Sequence, residues 1–304
     1  MISPCPRAAG DAGVGACAPK DRGPKTEDRA NWFNAEGLLS GLRRVNIFCG
    51  GFGSGKTEVA VNFSLRMSEL GCRVSIADLD IVNLYFRSRE VREQLRGCGI
   101  EVIVPSGALV NADLPIIVPE VKGAIEGRGG AYHKDTKTQR EQSPKDEGRK
   151  TKDEATAPVV VLDLGGDPAG ARVMASLAGA MKPDDYSGLF VLNSRRPFTA
   201  AVAAAQEMMA GIADAAGIRV DRIVVNSHLI DETTPAVIDE GIALAEELAQ
   251  TTGASIAFVA VQRDLLDRFD AAGCKYPVMV LDRLMLKPWE PSNWIGKYRI
   301  VNGE

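Results

Sequence analysis

The stretch Gly50-Gly51-Phe52-Gly53-Ser54-Gly55-Lys56-Thr57 decides the fold that we predict for this chain. It follows the apolar run Val45-Asn46-Ile47-Phe48-Cys49 and fits the pattern G-x-x-x-x-G-K-[ST], in which a strand leads into a glycine-rich loop and a helix begins at the lysine. Glycines let the backbone N–H groups of such a loop approach phosphate oxygens closely. The N-terminus of the following helix adds partial positive charge. The stretch therefore predicts a loop that binds the phosphates of a nucleoside triphosphate.

The residues of this motif have distinct expected roles. Lys56 is expected to reach the β- and γ-phosphates, and the Thr57 hydroxyl is expected to ligate Mg²⁺. The alternative is a glycine-rich turn with an accidental Lys-Thr pair, and the complete motif between a strand and a helix argues against it. The predicted nucleotide-binding residues of this stretch are Gly51, Phe52, Gly53, Ser54, Gly55, Lys56, Thr57 and Glu58.

The composition limits the class of protein. The chain has 304 residues, 45% of them hydrophobic, which is enough for a large packed core. A formal net charge of -4 argues against bulk attraction to nucleic acid or anionic lipid. None of the six cysteines stands in a C-x-x-C pair, so no zinc ribbon is indicated. Because there is no signal-peptide pattern and no apolar run of roughly 18 residues, we expect a cytoplasmic protein.

The order of segments predicts one domain with two disordered additions. Residues 1–30 are rich in Pro, Gly, Ala and charge and are interpreted as a disordered extension. Residues 31–304 are interpreted as the domain, interrupted at about 127–157 by a mixed-charge tract almost free of apolar residues. A loop insertion without function is the preferred interpretation of this tract, and a regulatory or partner-binding tract is the alternative.

Strands alternate with helices along the ordered part of the chain. This alternation predicts an α/β fold, a three-layer, doubly wound, mainly parallel sheet of the P-loop NTPase type. Several strands are continuous apolar runs, such as Val159–Leu162, as burial on both faces requires. Thr199 is expected to cap the alanine-rich helix that runs to about Ala216. Ligands of such sheets bind beyond the carboxyl ends of the strands.

Polar residues at strand ends complete the predicted site. Asp163 is expected to hold Mg²⁺ through its water shell, and Gly166 to present its backbone N–H to the γ-phosphate. Asp80 is expected either to position the attacking water or to share the Mg²⁺ shell. Asn226 is expected to contact an adenine edge. The residues after it do not complete the guanine motif N-K-x-D, which favours ATP over GTP.

Four arginines are candidates for cations near the γ-phosphate, although for each one alone a surface role is the more common outcome. They are Arg87, Arg89, Arg195 and Arg196.

These motifs together resemble the MinD/ParA/CobQ-type branch of the SIMIBI P-loop NTPases. The resemblance rests on residues 51–57, on Asp-Leu-Asp-Ile-Val-Asn at 78–83 and on Asp-Leu-Gly-Gly at 163–166, and it covers roughly residues 44–285. It implies that Asp80 belongs to the first switch, Asp163 and Gly166 to the second, and that Asn226 contacts adenine. Gly51 stands where the family carries a signature lysine that reaches across a face-to-face dimer, so this dimer is expected only if an arginine such as Arg87 replaces the lysine. The segments at 80–90 and 195–199 also resemble a bacterial ATP-binding subgroup that lacks this lysine.

Two functions of different classes are consistent with this resemblance. The first is a Mg²⁺-dependent ATPase that acts as a nucleotide-driven switch or assembly factor, with a protein partner or a second copy of the chain as its target. The alternative is an ATP-dependent small-molecule ligase or kinase of the CobQ/CobB or dethiobiotin synthetase type, which the missing lysine suits. A module that binds ATP without hydrolysing it is a third possibility, and the retained Asp80 and Asp163 argue against it. The sequence carries no clear signal for nucleic acid or membrane binding.

Overall fold

The structure is a computed structural model that describes residues 42–79, 89–103, 119–127, 159–166 and 168–285. Several expectations fall on other residues. The N-terminal extension 1–30, Asp80, Arg87 and all of the predicted insertion except Gly127 lie outside the described residues.

The described strands form one sheet of eight, and every neighbouring pair is parallel. The strand order across the sheet is β3-β2-β4-β1-β5-β6-β7-β8. The strands are β1 Val45–Cys49, β2 Val74–Leu79, β3 Ile100–Ile103, β4 Val159–Leu164, β5 Tyr186–Leu192, β6 Arg222–Val225, β7 Ser255–Gln262 and β8 Val278–Leu281. The predicted parallel sheet is confirmed.

Helices cover both faces of this sheet. The described helices are α1 Lys56–Glu69, α2 Arg89–Gly97, α3 Pro119–Ile125, α4 Pro168–Ala178, α5 Val202–Ala216 and α6 Pro235–Thr252. Helices α3 to α6 contribute to one apolar core, and α1, α2 and the segment after β8 contribute to the other. Strand β1 shows the division, since Ile47 belongs to the first core and Phe48 to the second. The predicted three-layer, doubly wound α/β architecture is therefore confirmed.

The start of α5 differs from the expectation. Thr199 ends a short 3₁₀ helix, Pro197–Thr199, and α5 begins three residues later at Val202, with no side-chain cap on its first turn. The Thr199 hydroxyl instead donates to the Asn193 carbonyl oxygen over 2.7 Å. The predicted cap is wrong because Pro197 starts a separate turn in which this hydroxyl is already used.

The sheet brings the predicted site residues to one edge. Strands β4, β1, β5 and β6 are consecutive neighbours in the sheet, and the chain leaves each of them at its carboxyl end. The loops that follow these strands carry the phosphate loop and the polar strand-end residues. Within the described ranges, no helix is both long enough and apolar enough to cross a membrane.

Candidate functional site

The phosphate loop joins β1 to α1 without an intervening residue of regular structure. Gly55 adopts a left-handed conformation, with φ of 82°, directly before the first residue of α1. A side chain at Gly55 would also collide with the amide nitrogen of Asn226, so both the backbone angle and the space require glycine there. A hydrogen bond of 3.1 Å from the Ser54 N–H to the Gly51 carbonyl oxygen closes the turn.

The N-terminus of α1 carries the predicted lysine. Lys56 is the first residue of the helix and is only 7% exposed. No side chain caps this terminus among the described residues. Backbone N–H groups at the N-terminus of a helix suit an anion, as the phosphate-binding role requires.

Lys56 also affects the pKa of Cys49, the last residue of the strand before the loop. Burial raises the pKa of the Cys49 thiol to about 12, and the charge of Lys56 opposes this rise. The thiol stays protonated at neutral pH, so Cys49 is an inert core residue.

Asp163 lies beside the end of β1, the strand that leads into the phosphate loop. It is fully buried in β4, in register with Phe48 of β1 on one side and with Asp78 of β2 on the other. Thr57 and Asp163 offer the hard oxygen ligands that Mg²⁺ prefers, and Mg²⁺ in nucleotide sites keeps several waters and phosphate oxygens. The donor set thus fits Mg²⁺. In the described part of the chain, no group of three or more His, Cys, Asp and Glu side chains forms a separate metal site.

Gly166 lies against the backbone of the phosphate loop. A Cβ placed on Gly166 would stand 3.0 Å from the Phe52 nitrogen and 3.3 Å from the Gly51 carbonyl carbon. The end of β4 and the loop are therefore in close contact, and a residue larger than glycine would require the loop backbone to shift by a few tenths of an ångström.

Asn226 supports the phosphate loop from the neighbouring strand. Its side-chain amide donates to the Ser54 carbonyl oxygen over 2.8 Å, and the residue is 3% exposed. The predicted adenine contact stays a prediction, since this bond uses one of the two amide hydrogens.

Arg196 holds the adjacent residue of the loop. Its Nε donates to the Gly53 carbonyl oxygen over 2.7 Å. Arg195, one residue earlier, points elsewhere and pairs with Glu240 on α6. Of the four candidate arginines, Arg196 contacts the loop and Arg195 does not. Arg87 and the side chain of Arg89 lie outside the described residues.

Asn193 ties the loops after β5 and β6 together, and the sequence did not indicate it. Its side-chain amide donates to the His228 carbonyl oxygen over 3.3 Å, and its Oδ1 accepts from the N–H groups of Arg195 and His228. Its place directly after β5, matching that of Asn226 after β6, was the signal available in the sequence.

His228 is neutral in this setting. Burial, together with the positive charge of Arg196, lowers the pKa of His228 to about 4. Its Nε2 lies 3.2 Å from the position that a Cβ on Gly55 would occupy. An uncharged imidazole therefore faces the end of the phosphate loop at physiological pH.

The carboxylate of Glu58 binds the backbone of a distant segment of the chain. It accepts hydrogen bonds from the backbone N–H groups of Leu284, over 2.7 Å, and Met285, over 3.0 Å. Asn62, one turn later, accepts from the Asp282 N–H and donates to the Asp282 carbonyl oxygen. Helix α1 thus holds the segment after β8, and the role of Glu58 at a nucleotide stays a prediction.

Comparison with known proteins gives structural similarity only. No protein-family model matches the sequence, and no curated protein matches it. Among solved structures, the chain is similar to the cell division protein FtsY from Thermotoga maritima, with 19% identity and a TM-score of 0.43 over 72% of this chain and 62% of that one.

Two further solved structures are similar over most of this chain. They are the signal recognition particle 54 kDa protein from Aeropyrum pernix in complex with GDP, and a nucleotide-binding protein from Archaeoglobus fulgidus in complex with ADP. The first has 14% identity and a TM-score of 0.43 over 72% of this chain and 41% of that one. The second has 16% identity and a TM-score of 0.39 over 84% of this chain and 91% of that one. This chain covers less than two thirds of the length of both the FtsY and the signal recognition particle proteins.

Proposed function

We propose that this protein is a Mg²⁺-dependent ATP-binding protein and an ATPase that works as a nucleotide-driven switch. The observation that carries the proposal is the phosphate loop itself, which places the buried Lys56 at the uncapped N-terminus of α1. This arrangement concentrates positive charge and backbone donors at one point, as the binding of a polyphosphate requires.

The residues around the loop have defined tasks under this proposal. Lys56 neutralises charge on the phosphates, and Thr57 and Asp163 hold Mg²⁺, with Asp80 as a further candidate. Bound Mg²⁺ supplies positive charge that stabilises the transferring phosphoryl group. Asp80 is also the candidate for positioning the attacking water.

The choice of ATP over GTP is supported by the residues after β6. A guanine ring presents N–H donors on its pairing edge and calls for a carboxylate acceptor, whereas an adenine edge offers one donor and one acceptor. The chain at this point reads Asn226-Ser227-His228-Leu229 and contains no acidic residue. Asn226 and neutral His228 supply both donors and acceptors.

The switch is supported by the contact between Gly166 and the loop. Since Gly166 packs on the backbone of Phe52, a γ-phosphate bound by the loop changes the position of the β4 end. Membership of the MinD/ParA/CobQ branch, a protein partner, a homodimer and a cytoplasmic location are parts of the same proposal.

The ligase or kinase alternative is favoured by one contact. A Cβ on Gly51, where relatives in the proposed family carry the signature lysine, would lie 2.6 Å from the Met208 sulfur. In this chain a methionine of the same copy packs beside that position, which suits a site that works within one copy.

The binding of nucleotide is tested by titrating the full chain with fluorescent ADP and ATP analogues in the presence of Mg²⁺. We expect Lys56→Ala to lose binding and phosphate release, and Lys182→Ala, which removes an exposed lysine far along the chain, to retain both. Nucleotide affinity and turnover unchanged in Lys56→Ala would refute the proposed site.

The switch is tested separately by light scattering of the Asp80→Ala variant with ADP and with ATP. A change of mass only with ATP supports a switch that acts through assembly. The same mass in both states, together with a metabolite that raises ATP turnover and gives a new product, supports the ligase or kinase instead.

A further inference from the structure

The phosphate loop has an inner and an outer face with different chemistry. In a loop of this kind the backbone N–H groups converge on the anion, and carbonyl groups point away from it. The carbonyl oxygens of Gly53 and Ser54 accept hydrogen bonds from Arg196 and Asn226. These two side chains therefore lie on the outer face, on the side of β5 and β6, away from the point where the N–H groups converge.

The Arg196 guanidinium is held through its Nε, and its two Nη groups are left over. Its Nε bonds to Gly53, and its Cζ lies 3.3 Å from the position that a Cβ on Gly53 would occupy, so the group lies flush against the loop. Neither Nη atom has a hydrogen-bond partner among the residues that the structure describes. A guanidinium held in this way presents a planar, charged surface with unused donors.

The backbone around Arg196 is also fixed. The Arg196 N–H donates to the Asn193 carbonyl oxygen over 3.1 Å, and the Thr199 N–H donates to the Arg196 carbonyl oxygen over 2.9 Å. The same Asn193 binds the backbone of His228 through its side chain. Arg196 and His228 are thus held in one frame built from the loops after β5 and β6.

His228 lies close enough to Arg196 for its charge to act on the imidazole. The His228 Nδ1 is buried and has no hydrogen-bond partner among the described residues. The Nε2 edge of this neutral imidazole faces Gly55 of the loop, and together with the Arg196 guanidinium it offers a flat surface to a ligand.

We propose that Arg196 and His228 form the nucleoside-binding wall of the site, with the Arg196 guanidinium packing on the base or donating to the ribose. The inference rests on the proposed function and adds to it a specificity-determining residue from the loop after β5. The inner face already has Lys56 and the N–H groups of α1 for the phosphates. A nucleotide whose phosphates occupy that face extends its nucleoside past the outer one, where planar arginine is well suited to an aromatic ring.

The test compares ligands with and without a nucleoside in the full-length protein. Calorimetric titrations measure the affinity of Mg²⁺-bound tripolyphosphate, ADP and a non-hydrolysable ATP analogue for the wild type, Arg196→Ala, Arg196→Lys and Arg195→Ala. We expect Arg196→Ala to weaken ADP and the ATP analogue by the same factor, about tenfold beyond any loss for tripolyphosphate, which measures the support that Arg196 gives the loop. Arg196→Lys keeps the charge and a donor for Gly53 but loses the plane, so it weakens the two nucleotides and spares tripolyphosphate.

Arg195→Ala is the matched control, since Arg195 is the neighbouring residue and pairs with Glu240 instead of the loop. It is expected to bind all three ligands as the wild type does. Equal losses for tripolyphosphate and ADP in Arg196→Ala would mean that Arg196 only shapes the loop. A larger loss of affinity for the ATP analogue than for ADP would mean that Arg196 contacts the γ-phosphate instead of the nucleoside. Either result overturns the inference, whereas a wild type that binds none of the ligands overturns the proposed function itself.

Discussion

The side-chain amide of Asn226 donates a hydrogen bond of 2.8 Å to the carbonyl oxygen of Ser54, and this bond ties the end of β6 to the phosphate loop. Asn226→Asp keeps the size of the side chain but replaces the donor with an acceptor that faces another acceptor. We expect it to lower the free energy of unfolding by about 1–3 kcal/mol and to weaken tripolyphosphate binding, because the loop loses its support. Chemical denaturation and calorimetry measure the two effects.

Asn226→Ala serves as the comparison for this variant. It also removes the donor, but it adds no repulsion, so it is expected to destabilise less than Asn226→Asp. Wild-type stability in both variants would show that the bond to Ser54 does not support the loop.

The contact between Gly166 and Phe52 leads to a second prediction. In Gly166→Ala the added methyl group would stand 3.0 Å from a backbone nitrogen of the phosphate loop, which cannot yield as a flexible side chain does. We expect the affinity for a non-hydrolysable ATP analogue to fall at least tenfold, a loss of about 1.4 kcal/mol of binding free energy. Gly211→Ala on α5 is the matched control, since nothing lies within 4 Å of its added methyl group. Equal affinity in both variants would contradict a role for Gly166 at the phosphates.

The sheet and its site edge were predictable because each depends on local sequence. Four consecutive apolar residues at Val159–Leu162 fit a strand buried on both faces, and the first polar residue after them, Asp163, is placed by the same pattern. The glycine and lysine positions of the phosphate loop are likewise fixed by a motif of eight residues.

The contacts around the loop were not predictable because they join distant parts of the chain. Glu58 and Leu284 are 226 residues apart, and their bond depends on how α1 packs near β8. Thr57 precedes Glu58 in α1, and successive side chains of a helix point about 100° apart, so the two residues face different sides of the helix. Which of Arg195 and Arg196 contacts the loop depends on the turn at Asn193. Two identical neighbouring side chains in a sequence do not indicate this difference.

The third prediction concerns the charge of His228. Because burial and then the Arg196 charge lower the pKa of His228 to about 4, removal of the charge in Arg196→Ala is expected to raise that pKa, while burial keeps it below 6.5. Proton NMR titration of the imidazole measures the shift, and His133, the other of the two histidines, is the internal reference. Arg195→Ala should leave the His228 pKa unchanged, and an equal shift in the two variants would contradict the assignment.

The fourth prediction concerns the link between α1 and the segment after β8. Glu58→Ala removes the acceptor of two backbone N–H groups, so we expect the free energy of unfolding to fall by about 1–3 kcal/mol. Hydrogen exchange should show faster exchange at the Leu284 and Met285 amides. Glu69→Ala, at the last residue of the same helix, is the control and should leave both amides protected.

The same carboxylate gives stability a pH dependence of known sign. Burial raises the pKa of Glu58 to about 7, against the opposing effect of the Leu284 and Met285 N–H groups, from a usual value of 4.5. Between these two values the folded protein binds a proton that the unfolded chain does not. The stabilising contribution is therefore complete below pH 4.5 and is lost as the pH rises through about 7. Denaturation midpoints of the wild type should fall over this range more steeply than those of Glu58→Gln, and parallel curves would show that Glu58 does not titrate there.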